Sequence, residues 1–374
     1  MVDFDCPLPL ALLLSLATKD ETVTNQTDRL RVVVATPLSE ELCARIEELE
    51  PRVELIRDQS LLPPMRWPGD HAGEPSFRRT DAGEEKFCRL VDSADALYGV
   101  PDETPVKLAR TVGANPGLRW VQTMPAGGGG QVRAAGLTAA QLDRVIFTTS
   151  AGVHAQPLAE YAVFGLLAGA KTLPQLMEQQ EASLWSGRWA MGLISEQKIL
   201  IVGLGSIGRA TAVKLASLGA YVMGTSRRAN TVEGVDEIVH PDRLTEAVAS
   251  VDGIVVTLPG TAATEGLMSA EVFAAVKPGV TVVSVGRGTV IDERALIDAL
   301  RDGRVGFAAL DVFADEPLAV DSPLWQHPRV LVSPHTAALN PAEDRLIAEL
   351  FARNATRLLD SRPLINRVDT VEFY

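Results

Sequence analysis

The chain has 374 residues, of which 46% are hydrophobic and 22% charged, with 48 acidic against 35 basic side chains and a formal net charge of −13. A chain of this length suggests two domains and buries a large core, so it needs neither disulfides nor a structural metal to fold. The negative balance argues against nonspecific binding to nucleic acid or to an anionic membrane surface, although one local arginine can still hold an anionic substrate. Cys6, Cys43 and Cys88 are odd in number and widely spaced, with no CxxC and no Cys/His cluster. Neither a disulfide framework nor a zinc or other metal site is expected, and a reducing cytosol suits such a chain.

Residues 1–28 read as an extension. Its apolar stretch, LPLALLLSLA at 8–17, is too short to cross a bilayer. The preceding MVDFDCP carries two aspartates and no basic residue, the wrong sign for the start of a signal peptide. RVVVA at 31–35 reads as a first strand. A helix is expected over 39–50, with Leu42, Ile46 and Leu49 at helical spacing and Ser39 as its N-cap. VELI at 53–56 reads as a second strand, and residues 60–85, crowded with proline and glycine, as a long loop, functional or disordered. Strands resume at 94–100 and 118–122, followed by PAGGGG at 125–130. Strand and helix alternating at this pace indicate an α/β domain with a parallel sheet.

Residues 157–171 form an apolar, alanine-rich segment that predicts a buried helix. From Lys198 onward a second αβ repeat begins, with six short apolar strands that read as buried on both faces, and residues 342–359 close the chain as a long helix. The first of these strands runs into Gly203, Leu204, Gly205, Ser206, Ile207 and Gly208, a GxGxxG with a strand before it and a helix after it. In that context the first glycine makes a tight turn, the second lets backbone approach a pyrophosphate, and the third lets the helix pack on the strand. An acid that reads the ribose 2′-hydroxyl of NAD belongs about 20 residues on. This chain has Gly224, Thr225, Ser226, Arg227 and Arg228 there, and no acid before Glu233. Two cations and two hydroxyls suit a 2′-phosphate, so NADP is favoured, with NAD possible.

Three later strand ends carry reactive side chains. VSVGRGTVID places Arg287 between glycines, LDVFADEP places Asp311 and Glu316, and LVSPHTAA places His335. Ligands bind at the carboxyl ends of strands in open α/β sheets. A histidine there suits proton transfer near neutral pH, a carboxylate can hold its tautomer, and an arginine can anchor a carboxylate. Taken singly, each has a plainer reading: a structural histidine, or a turn at Asp-Glu-Pro.

Together, GLGSIGR, TLPGTAATEGLM, KPGVTVVSVGRGTVID, ALDVFADEPL and SPHTAA resemble the D-isomer-specific 2-hydroxyacid dehydrogenases, over about residues 150–345. The resemblance implies an α/β protein with two Rossmann-like domains. A doubly wound cofactor domain, residues 149–336, is inserted into a flavodoxin-like substrate domain built from 1–148 and 337–374. It implies His335 as general acid/base, Glu316 as its partner and Arg287 as substrate anchor. It also implies Asp311 beside the nicotinamide carboxamide, and Leu258, Pro259, Thr264, Val285 and Gly286 along the cofactor. The substrate carboxylate is expected on the backbone of Ala126, Gly127, Gly128 and Gly129 and on the strand-end loop at Val100. A homodimer in contact near 157–171 follows from family habit.

Departures from the pattern matter. Four consecutive glycines predict a wider or more mobile carboxylate pocket. The loop at 60–85 has no counterpart in shorter members, and the regulatory domain of some phosphoglycerate dehydrogenases has none in these 374 residues. Formate dehydrogenases carry Gln where Glu316 stands, which sets formate aside; phosphite oxidation stays open. The implied reaction interconverts a small 2-keto acid, such as glyoxylate or hydroxypyruvate, and its D-2-hydroxy acid. The alternative is a nucleotide-sensing, corepressor-like binding protein on the same fold, since a fold alone does not determine function.

Overall fold

The computed structural model describes residues 29–227 and 231–373. The expected extension at 1–28, with Cys6, and the expected cofactor residue Arg228 lie outside the described residues.

Strands β1 (Leu30–Val34), β2 (Val53–Ile56), β3 (Ala96–Tyr98), β4 (Trp120–Gln122) and β5 (Ile146–Thr148) form one sheet in the order β2-β1-β3-β4-β5. Strands β6 (Lys198–Val202), β7 (Tyr221–Thr225), β8 (Glu237–Val239), β9 (Gly253–Val256), β10 (Val280–Ser284), β11 (Val305–Leu310) and β12 (Val330–Val332) form a second, ordered β12-β11-β10-β9-β6-β7-β8. Every strand pairing in both sheets is parallel. Parallel strands need helices across both faces, and the β-branched runs of β9 and β10 are accordingly buried throughout. Strand order reverses between β1 and β3 in the first sheet and between β6 and β9 in the second. These are the places where such sheets open a crevice for ligands.

The chain leaves the first sheet after β5 and enters the helix Ala155–Ala170, whose Leu158, Ala162 and Leu166 pack with Ile199, Val255 and Val283 of the second sheet. It returns after β12 in the helix Glu343–Leu359, whose Ile347, Phe351 and Ala355 lie in the core of the first sheet. Phe351 stacks on Trp120 with ring centroids 4.4 Å apart. Burying a ring of this size stabilises the return by about 1.5–3 kcal/mol.

The helix Glu40–Leu49 forms where the spacing predicts it, and the Ser39 hydroxyl accepts the Leu42 N–H at 3.3 Å. β5 and β8 are absent from the sequence reading. β12 was expected to be buried on both faces, yet all three of its residues are only partly buried, because it is the edge strand. The expected loop at 60–85 ends at Thr80, whose hydroxyl caps the helix Asp81–Val91. It is tied down by Arg66 on Asp70 at 2.6 Å, by Arg79 on Asp102 at 2.7 Å and by the Gly69 N–H on Asp344 at 3.1 Å. Cys43 and Cys88 are free thiols. Among the described residues, no helix is long and apolar enough to cross a membrane.

Candidate active site

The glycine turn joins β6 to the helix Ser206–Ser217. Gly203 has φ +110°, and a Cβ there would lie 2.7 Å from Leu258 Cδ2. A Cβ on Gly208 would lie 2.0 Å from the Gly203 carbonyl oxygen, so this contact between helix and strand end admits only glycine. At Gly205 a Cβ would meet no heavy atom within 4 Å. Gly205 is the helix N-cap and makes no side-chain cap bond, so the first helical N–H groups have no such partner. Leu204 and Ile207 are partly buried, and Ser206 is exposed beside Gly205.

Ser226 and Arg227 follow β7, as the spacing predicts. Thr225 does not add a hydroxyl there: it is 5% exposed, and its Oγ1 accepts the Gly203 N–H at 3.0 Å. The 2′-phosphate reading therefore loses one of its two hydroxyls and keeps Ser226 and Arg227 among the described residues.

Leu258 and Pro259 follow β9, and Leu258 lies against both Gly203 and Gly286. The Thr264 hydroxyl donates to the Pro259 carbonyl at 2.6 Å and closes that loop on itself. Val285, Gly286 and Arg287 follow β10, Asp311 follows β11, and His335 lies three residues beyond β12. All stand at the carboxyl edge of the second sheet.

His335 Nδ1 is 2.7 Å from Glu316 Oε2, and both side chains are exposed. Glu316 Oε1 also accepts the Phe313 N–H at 3.0 Å. Burial pushes the Glu316 carboxyl up, but the His335 bond, the Phe313 amide and the nearby Arg287 outweigh it and hold the group below the ordinary carboxylate value. His335 has φ +53°, in the left-handed region that costs a non-glycine residue about 1–3 kcal/mol unless its surroundings impose it.

Asp311 imposes it. Its carbonyl accepts the His335 N–H at 2.9 Å, and its Oδ1 accepts the Ser333 hydroxyl at 2.6 Å and the Thr336 and Ala337 N–H groups at 2.9 and 3.0 Å. Asp311 is 1% exposed, and its Oδ2 has no hydrogen-bond partner.

The two expected substrate loops come from the first sheet. Ala126 and Gly127 are exposed, and a Cβ on Gly127 would lie 3.0 Å from Arg287 Nη2. The fold thus brings a residue beyond β4 against one beyond β10. Val100 and Gly128 are not on this surface. Val100 is fully buried after β3, because the chain turns inward at Pro101. Gly128 is buried with its N–H on the Pro125 carbonyl at 3.1 Å. A Cβ on Gly128 would lie 1.8 Å from Thr123 Oγ1, so this glycine serves close packing and does not widen the pocket. Gln131 donates to Glu103 at 2.8 Å and ties the two loops together.

Ser333 carries a part of this arrangement that the sequence reading omits, and Thr225 a part that it misassigned to the phosphate. Ser333 and Thr225 are visible only through their bonds to residues 22 positions away.

The residues present fit a nicotinamide dinucleotide. Gly205 leaves open backbone at a helix start for a pyrophosphate, and the buried, orphaned Asp311 Oδ2 is an acceptor of the kind a carboxamide needs.

Comparison with known proteins agrees. Residues 163–337 match the family described as D-isomer specific 2-hydroxyacid dehydrogenase, NAD binding domain. A D-3-phosphoglycerate dehydrogenase of Mycobacterium tuberculosis is 34% identical over 267 residues, 70% of this chain and 48% of that protein. The chain therefore spans about half the length of such relatives. A glyoxylate/hydroxypyruvate reductase A of Yersinia enterocolitica is 30% identical over 225 residues, 58% of this chain and 68% of that one. Among solved structures, a D-isomer specific 2-hydroxyacid dehydrogenase from Xanthobacter autotrophicus, in complex with NADPH and MES, aligns with a TM-score of 0.73 and 28% identity, covering 92% of this chain and 100% of that one.

Proposed function

The chain belongs to the D-isomer-specific 2-hydroxyacid dehydrogenase family, and on that premise we propose that it interconverts a small 2-keto acid and its D-2-hydroxy acid with NADP. The observation that carries the reading is the pairing of His335 with Glu316 at 2.7 Å on the rim that also holds the glycine turn and Arg287. The intact set of Arg287, Glu316 and His335 favours an enzyme over a binding protein. The substrate domain comprises the first sheet with the helix Glu343–Leu359, and the cofactor domain comprises the second sheet.

The bound nicotinamide nucleotide supplies or accepts the hydride. This chain's residues do the rest. The Arg287 guanidinium, facing Gly127, holds the substrate carboxylate together with the exposed backbone at Ala126 and Gly127. His335 Nε2 donates a proton to the keto oxygen during reduction and takes it back in the reverse direction. Glu316, accepting at Nδ1, keeps the tautomer and stabilises the imidazolium. Asp311 holds the loop that carries His335, and its unpartnered Oδ2 would accept from the carboxamide of a bound nucleotide. NADP is preferred over NAD because no acid stands between Thr225 and Arg228, where Ser226, Arg227 and Arg228 can receive a 2′-phosphate. The relative from Xanthobacter, crystallised with NADPH, supports that preference.

A homodimer is part of this reading. Phe164, Met177, Leu184 and Trp185 lie 47%, 59%, 59% and 99% exposed on and after the helix Ala155–Ala170. Exposed apolar side chains of this size favour a protein interface. Sedimentation at micromolar concentration tests it, and a monomer would refute it.

The activity is tested by NADPH oxidation with glyoxylate, hydroxypyruvate and pyruvate, and by NADP reduction with the D- and L-hydroxy acids. Turnover with at least one keto acid, and with the D enantiomer in reverse, is expected. No turnover with any of them would overturn the reading.

A further inference from the structure

A second group of polar side chains, largely buried, lies outside the catalytic rim, where the chain crosses between the two sheets. His154 is the N-cap residue of the helix Ala155–Ala170, which packs on the second sheet. Glu343 is the first residue of the helix that returns to the first sheet. His154 Nε2 is 2.9 Å from Glu343 Oε1, so the pair joins the two domains directly at the point where they separate. His71, from the irregular segment before Thr80, brings its Nε2 to 3.7 Å from the same carboxylate oxygen. The neighbouring Gly69 N–H donates to Asp344, and a Cβ on Gly69 would lie 2.8 Å from the Glu343 carboxyl carbon. Glu343 is 3% exposed, and its Oε2 has no partner.

We infer that Glu343 is a positioning residue for the reaction: held between His154 and His71, its carboxylate is the strut that sets how the substrate domain meets the cofactor domain. The catalytic arrangement requires this, because its parts come from both domains. Arg287 and His335 belong to the second sheet, whereas Ala126 and Gly127 belong to the first, and nothing in either sheet alone fixes the approach of Arg287 to Gly127. Only residues 149–154 and 333–342 carry the chain across. Glu343 ties the end of one crossing to the end of the other, and His71 adds a third support from the substrate domain. A buried carboxylate keeps its place only while it is paired. Burial pushes its carboxyl up, and the His154 and His71 imidazoles outweigh burial and bring it down to about 2, so it remains a carboxylate throughout the working range.

The inference rests on the proposed reaction for its kinetic consequence and on geometry alone for its structural one. Four variants of the full chain separate them: Glu343→Ala, Glu343→Gln, His154→Ala and the double alanine variant. Small-angle scattering and amide hydrogen exchange need no activity. Glu343→Ala is expected to enlarge the radius of gyration and to speed exchange at 149–154 and 336–343. In turnover, the same variant should raise the keto acid KM and lower kcat, together costing ~10- to 100-fold in kcat/KM, since small misplacements of reacting groups are that costly. NADPH affinity should hold within about twofold, because the nucleotide turn lies in one domain.

Glu343→Gln keeps an acceptor for His154 and should restore most of the loss. His154→Ala should match Glu343→Ala, and the double variant should be no worse than either, the signature of one shared interaction. A folded Glu343→Ala or His154→Ala with wild-type radius and exchange would overturn the inference. So would a loss of NADPH affinity equal to the loss of kcat/KM. An enzyme that reduces no keto acid yet opens on Glu343→Ala would overturn the proposed reaction and leave the strut standing.

Discussion

Asp311 holds His335 through the backbone: its carbonyl accepts the His335 N–H at 2.9 Å while its carboxylate gathers Ser333, Thr336 and Ala337 from both sides of the histidine. The bonds keep His335 at φ +53°, a conformation it would not otherwise favour. The side chain is thereby held exposed with its Nδ1 on Glu316.

His335→Asn should fold, since asparagine tolerates the left-handed region. Its kcat should fall ~10²-fold or more, the usual cost of removing a general acid, while NADPH affinity by fluorescence titration stays near wild type. Retention of more than about a tenth of wild-type kcat would rule out acid catalysis by His335.

Arg287→Lys keeps the charge and loses the planar fork. One charge-assisted hydrogen bond contributes about 1.5–3 kcal/mol, so kcat/KM for a keto acid should fall about tenfold or more, mostly through KM. An unchanged kcat/KM would make Arg287 a structural residue.

Asp311→Asn can keep its Oδ1 acceptor for the loop but replaces the orphaned Oδ2 with an N–H donor. Affinity for NADPH should drop ~10-fold, the cost of one mispaired buried group. A nucleotide fragment lacking the nicotinamide should bind as before. Equal losses for both would show that the substitution had disturbed the loop as a whole.

Arg227→Ala with Arg228→Ala should remove most of an NADPH preference on the order of 30-fold, a figure that charge-assisted bonds at an open pocket edge support. The loss should come from NADPH and leave NADH nearly unchanged. A wild-type enzyme that uses both cofactors equally would refute the preference without touching the catalytic residues.

Acid stability should report Glu343. Its carboxyl ordinarily titrates at 4.5 and lies at about 2 in the fold, so its contribution is complete above 4.5 and is lost as pH falls toward 2. The shift corresponds to about 3 kcal/mol. Thermal melts between pH 6 and pH 3 should fall less steeply in Glu343→Gln than in the wild type, with the two converging at the acid end. Parallel curves would show that the carboxylate gains nothing from His154 and His71.

The sequence by itself determined what is local. The glycine turn was legible because its spacing falls within six residues, and Gly203 and Gly208 show the positive φ and the close helix–strand contact it predicts, while Gly205 has open space beside it. The rim positions of Arg287, Glu316 and His335 were legible because each follows a short apolar run that reads as a strand, although the last of these, β12, is an edge strand and only partly buried. The strands β5 and β8 were not seen, and the burial of Val100 and Gly128 depends on how the chain turns after β3 and packs on Thr123. Thr225 looked like a phosphate ligand because its bond to Gly203 spans two strands. Only the tertiary structure decided which distant residues meet: Asp311 with Ser333, Arg287 with Gly127, and His154 with Glu343, 189 positions apart. Side-chain partnerships across such separations leave no periodicity in a single chain, because they are set by which strands lie side by side in a sheet and by the contacts between the two sheets' segments.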